Sequence, residues 1–162
     1  MDRLAVCAEL LRYPDSALLD QARFVPEFYD EVAHVSIEGL QELYTTTFDL
    51  NPVASLEVGW HLWGEQYERG RFLADLRGKQ AAMGIDADTE LPDHLTVLLQ
   101  MFARETNDEL AVQVGTAIDK MLKPLDEHGN PYRHVLHAVH ESLATRHSSL
   151  VTRHSPTEGG AS

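Results

Sequence analysis

Cysteine is nearly absent: Cys7 stands alone in 162 residues, so no internal disulfide can staple the chain. Long apolar runs are missing too. No stretch of 18 apolar residues occurs, so no helix is expected to span a bilayer. The N-terminal segment "MDRLAVCAELLRYPD" does not read as a signal peptide, because Asp2 spoils a basic leader and Glu9 interrupts the apolar stretch. A lone thiol and no export signal lead us to expect a reducing, cytoplasmic setting. No CxxC pair offers a zinc knuckle, no GxSxG a nucleophile, and no Walker loop or GxGxxG a phosphate cradle. Cys7 itself sits beside an apolar stripe and reads as a small core residue.

Positive charge is scarce in a patterned way. Lys and Arg number 13 against 26 Asp and Glu, a net charge of −13. Residues 24–68 hold no Lys or Arg at all. They carry Glu27, Asp30, Glu31, Glu38, Glu42, Asp49, Glu57, Glu65 and Glu68. Such a field repels nucleic acid and anionic lipid and favours cationic partners. Neither nucleic-acid binding nor membrane insertion is expected.

What the chain does have is helical periodicity. Leu4, Ala8 and Leu11 fall at i, i+4, i+7, and Ala22, Val25, Tyr29 and Val32 form the next stripe, with Pro26 expected to bend or split it. Ser36 is placed to cap a third helix through Leu40 and Tyr44. Leu56, Trp60, Trp63 and Tyr67 continue the pattern, and Gly70 is expected to loosen the junction to Leu73, Leu76, Gln80 and Met83. Leu95, Leu98, Leu99 and Phe102 follow. Thr106 and Glu109 have capping-box spacing ahead of Leu110, Val114 and Ile118. Asn130 and Pro131 open a last stripe through Val135, Val139 and Leu143. No segment alternates with period two for long. We expect an all-α fold: one domain of about six to eight helices over residues 1–146. A polar, disordered tail is expected over 147–162.

Three groups of residues could carry function. "HVLHAVH" places His134, His137 and His140 three apart, and Glu141 adds a carboxylate. At about −60° per step on a helix, His134 and His137 are expected to face solvent, where a weak metal patch is conceivable. "GWHLWGEQYERG" offers Trp60 and Trp63 as amphipathic anchors and His61 and Gly64 between and beside them. A mid-helix Gly64 costs about 1 kcal/mol against alanine, so it suggests close approach by a helix or a ligand backbone. "ELPDHL" concentrates Glu90, Pro92, Asp93 and His94 at a helix start. With the helix beginning at Pro92, Asp93 would cap its own first turn, at a value of about 1 kcal/mol. Glu90, Asp93 and His94 together would offer an extended peptide hydrogen-bond acceptors, an imidazole donor and carboxylates for guanidinium.

The segments "FDLNPVASLEVGWHLWGEQYERG", "ELPDHLTVLLQMF" and "NPYRHVL" occur in an order and spacing that resembles NarJ-type assembly chaperones, within the wider TorD/DmsD group. The resemblance covers about residues 2–145. It implies an all-helical, non-catalytic, cytoplasmic protein with no cofactor of its own. The partner it implies is the catalytic subunit of a molybdoenzyme, a nitrate reductase or a related DMSO-reductase-family enzyme. The chaperone would hold that subunit's basic N-terminal leader until the client receives its molybdopterin cofactor. By motif, Glu90, Pro92, Asp93 and His94 would line the peptide site, with His61 and Gly64 nearby and Trp60 and Trp63 as further contacts. Two other readings stand beside it: a metal-dependent hydrolase using His134, His137 and Glu141, and a permanent structural subunit of a redox complex.

Overall fold

The structure, a computed structural model, describes the backbone of residues 2–86 and 90–159 and the side chains as far as residue 146. In chain order the helices are α1 Arg3–Leu10, α2 Leu18–Ala22, α3 Pro26–Val32, α4 Ile37–Tyr44, α5 Val58–Trp63, α6 Tyr67–Met83, α7 Leu95–Arg104, α8 Asp108–Glu127 and α9 Arg133–Gly159. The all-α expectation holds. The expected stripe over residues 22–32 resolves into two helices, because Pro26 takes the first position of α3 and α2 closes at Ala22. The expected tail, residues 147–162, lies outside the residues whose side chains are described.

Helix α1 is the centre of the packing. It lies against both α7 and α9, while α8 packs on α9 and α5. Covered from two sides, α1 buries Leu4, Val6, Cys7, Ala8 and Leu10 rather than one stripe. Burial pushes the Cys7 thiol up to about 12, so it is inert at neutral pH. The periodic positions read from the sequence supply the other walls: Leu98 and Leu99 on α7, Val114 and Ile118 on α8, Val135 and Val139 on α9, all buried. Each such side chain contributes roughly 1.5–3 kcal/mol when fully buried.

Caps explain most boundaries, sometimes one residue away from the expected place. Ser36 Oγ accepts from Gly39 N at 3.1 Å, as expected. Helix α8 is capped by Asn107, whose Oδ1 accepts from Leu110 N at 3.0 Å, rather than by Thr106. The break after Trp63 falls at Gly64, not Gly70. Gly64 adopts φ 59°, ψ −125°, a conformation that L side chains resist, whereas Gly70 lies within continuous α6.

Helix α4 does not end cleanly. It runs into a π-turn over Thr45–Asp49 and then a 3₁₀ turn over Pro52–Ala54. Phe48 anchors the π-turn, its ring 4.9 Å from that of Tyr132 and 5.2 Å from that of Tyr44. Tyr44 donates its hydroxyl to the Leu11 carbonyl at 2.9 Å, tying the turn to the end of α1.

Candidate functional site

The "ELPDHL" segment sits where two distant pieces of chain are stitched together. A single antiparallel bridge joins Glu57 and His94: Val58 N donates to the Asp93 carbonyl at 2.9 Å, and Leu95 N to the Leu56 carbonyl at 2.8 Å. Helix α7 begins at Leu95, with His94 as its cap, so the expected start at Pro92 is corrected. Asp93 therefore does not cap its own helix. Its side chain, fully buried, reaches the start of α5, where Oδ2 accepts from Gly59 N at 2.9 Å and from Arg69 Nε at 3.3 Å. Arg69 also donates to Glu57 Oε2 at 3.2 Å. Pro92 is buried as well, and its carbonyl accepts from Gln80 Nε2 at 2.8 Å. Asp93 and Pro92 are thus committed inward, to α5 and α6.

His94 faces the other way. Its Nδ1 accepts from Thr96 N at 3.3 Å, so the neutral ring carries its proton on Nε2, which points at Glu90 Oε2 3.5 Å away. Burial holds the His94 imidazole below its ordinary pKa, against the pull of Glu90, Glu57, Asp93 and Asp49. The ring is a neutral donor at the surface of a groove.

That groove has two arms. The larger, about 1010 Å³, runs between α1, the chain leading into α2, and α7. The smaller, about 310 Å³, lies against the π-turn, the 3₁₀ turn and α5. Asp49, Glu90 and His94 line both and mark the junction. The larger arm is lined by Glu9, Asp15, Asp49, Asp86 and Glu90 against two bases, Arg12 and Arg104. Arg12 pairs with Glu9 at 3.7 Å, and Arg104 donates to the Met83 carbonyl. The field in the groove is negative.

The other expected residues divide. Trp60 lines the smaller arm and donates Nε1–H to the Pro52 carbonyl at 3.1 Å. Trp63 turns to α6, its ring 5.0 Å from Phe72. His61 donates from Nε2 to the Ser55 carbonyl, and burial lowers its pKa, so it fastens the turn before α5 and lines neither arm. A Cβ at Gly64 would meet nothing within 4 Å, so close approach is not the role of this glycine; the positive φ is. The glycine that does need close approach is Gly59, where a Cβ would meet Asp93 Oδ2 at 2.6 Å.

The histidine ladder does not converge. His134 pairs with Glu31 of α3, His137 with Asp126 at 2.9 Å and His140 with Asp119 at 3.0 Å, three separate acids. His134 is turned to α3 rather than to solvent. Against the burial that would raise it, hydrogen bonds from His134 and Arg133 hold Glu31 below the usual carboxylate range. Among the described residues no three potential metal ligands come together.

Sequence reasoning missed Gly59, Arg69 and Asp49 as functional candidates. Arg69 carried a signal: it is the first base after the base-free residues 24–68. Asp49 lay inside the "FDL" segment without a role assigned.

The fold and groove together define a class: an all-helical domain with an acidic, two-armed cleft and a neutral imidazole at its elbow. Comparison with known families narrows it. The nitrate reductase delta subunit family matches residues 11–138, most of the chain. The chain belongs to that family. It is 30% identical over 121 residues, 72% of its own length and 65% of the other's, to a Bacillus subtilis protein named "Probable nitrate reductase molybdenum cofactor assembly chaperone NarJ". It is 27% identical over 128 residues, 67% of its own length and 54% of the other's, to the Escherichia coli K12 "Nitrate reductase molybdenum cofactor assembly chaperone NarJ". The chain thus spans a little over half to about two thirds of the length of these relatives. Among the described residues no helix is long and apolar enough to cross a membrane.

Proposed function

We propose that this chain is an assembly chaperone, not an enzyme, for the catalytic subunit of a molybdoenzyme, a nitrate reductase or a related DMSO-reductase-family enzyme. In this reading it holds the subunit's basic N-terminal leader in the cytoplasm until the client receives its molybdopterin cofactor, and carries no cofactor of its own. The observation that carries the reading is the acidic two-armed groove on a chain of the delta subunit family. A leader with apolar and basic side chains finds apolar wall and carboxylates side by side there, so burial supplies affinity and charge supplies on-rate.

In this reading the eight candidate residues divide the work by placement. Glu90, His94 and Trp60 contact the leader, with Glu90 accepting from its bases and His94 donating Nε2–H to a backbone carbonyl. Pro92, Asp93 and His61 hold the walls in place, Gly64 turns the chain out of α5, and Trp63 packs α5 onto α6. Holding must be reversible, so Kd is expected in the range of about 10⁻⁷ to 10⁻⁵ M.

Co-expression with the catalytic subunit tests it. The two chains should co-purify before cofactor insertion and part afterwards, and deleting the client's leader should abolish capture. Retention in the finished enzyme in fixed ratio would make the chain a permanent subunit instead.

A further inference from the structure

The "FDL" motif has one member in the core and two outside it. Phe48 is locked among Tyr44 and Tyr132. The π-turn that follows from this anchor delivers Asp49 and Leu50 to the junction of the two arms, where Asp49 lines both and Leu50 lines the smaller. Leu50 is 72% exposed, the second most exposed large apolar side chain described. The Asp49 carboxylate makes no hydrogen bond or ion pair with any described residue, unlike those of Glu9, Asp15 and Asp93, each of which has a partner. π-helical turns are rare and recur at functional positions; this one closes α4. Here it sets a carboxylate that no described residue engages and an exposed leucine next to each other on the wall of a negatively charged groove.

We infer that Asp49 and Leu50 form a specificity-determining pair that reads a basic side chain adjacent to an apolar one in the bound leader. The cation sits at the junction, between Asp49 and Glu90, while His94 Nε2–H donates to a neighbouring leader carbonyl. The apolar neighbour packs on Leu50 and the Trp60 ring in the smaller arm. Charge complementarity selects the occupant: both guanidiniums of the larger arm are already engaged, while the Asp49 carboxylate at the junction has no partner among the described residues. The junction therefore fixes the register of a leader that the rest of the groove would accept in several. This rests on the leader-binding reading above.

The test uses the purified full chain and a synthetic peptide of the first ~30 residues of the molybdoenzyme catalytic subunit from the same organism, about 100 Å when fully extended and so long enough to span the groove. Affinity is followed by calorimetry at two salt concentrations. Asp49→Asn should weaken binding about tenfold, as expected for a lost charge-assisted hydrogen bond at a solvent-accessible position, and should flatten the salt dependence. Leu50→Ala should weaken it about fivefold through lost apolar contact. Glu38→Gln, an acid outside the groove, should leave affinity within about twofold if the effect is local rather than a property of net charge. A scan of the peptide's bases to Glu should find one position that restores binding to Asp49→Lys. No binding by the unaltered chain overturns the leader reading and the pair together. Binding that Asp49→Asn leaves intact, or that Glu38→Gln lowers equally, overturns the pair alone.

Discussion

Replacing Asp93 by alanine separates a clasp from a ligand contact. The Asp93 carboxylate is fully buried and serves Gly59 N at 2.9 Å and Arg69 Nε at 3.3 Å. Removing it leaves an α5 amide without its acceptor and a guanidinium, 17% exposed, short of one partner. Breaking a buried pair from one side costs about 3–5 kcal/mol, and losing a cap costs about 1 kcal/mol. Two features pull the loss below that sum, to the bottom of the buried-pair range. Arg69 keeps Glu57 at 3.2 Å, and Asp93 Oδ1 has no hydrogen-bond partner among the described residues, so part of the carboxylate's desolvation is uncompensated there. We expect a loss of about 3 kcal/mol, which at this chain length corresponds to a Tm lower by roughly 6–12 °C. Asp93→Asn keeps an acceptor for Gly59 and should lose about 1–2 kcal/mol. Thermal and urea unfolding followed by circular dichroism measure both. An Asp93→Ala chain that melts within about 2 °C of the parent but no longer binds a leader would refute the clasp and return Asp93 to the ligand.

Gly59→Ala should destabilise by about 1–3 kcal/mol in urea unfolding, because its Cβ would lie 2.6 Å from Asp93 Oδ2 and force the same clasp open. Gly64→Ala should cost about 1–3 kcal/mol by the same assay, with leader affinity unchanged, since its methyl meets open space but its φ of 59° with ψ of −125° is strained. Stability should fall as pH drops below about 6.5: burial keeps His94 and His61 neutral in the native protein, so the unfolded chain takes up protons first. His94→Asn, which retains a capping side chain, should flatten that pH dependence measured by chemical unfolding, and an unchanged slope would exclude His94 as a contributor.

Much of the site is visible in sequence as a concentration of residue types, but its division of labour is not. "ELPDHL" stands out as unusual, and Glu90 and His94 do face the groove. Asp93 reads as the cap of its own helix because caps are ordinarily local; here the acceptor serves an amide 34 residues away. Helix angle alone turns His134 outward, yet Glu31 on α3 draws it in across 103 positions. The misplaced break among the glycines has a similar source. Gly64 and Gly70 carry equal propensity cost, and only the packing of α5 on α6 and α8 decides which one turns the chain.

Helical period, cap chemistry and charge scarcity are properties of neighbours three or four residues apart, so the chain's own order of residues determined the all-α fold, most helix positions and the acidic character of its surface. Which carboxylates hold the walls and which remain free in the groove depends on segments far apart in sequence meeting at the Glu57–His94 bridge. Tertiary structure alone decided that, because the pairing of a buried charge is set by what packs beside it and not by what precedes it in the chain.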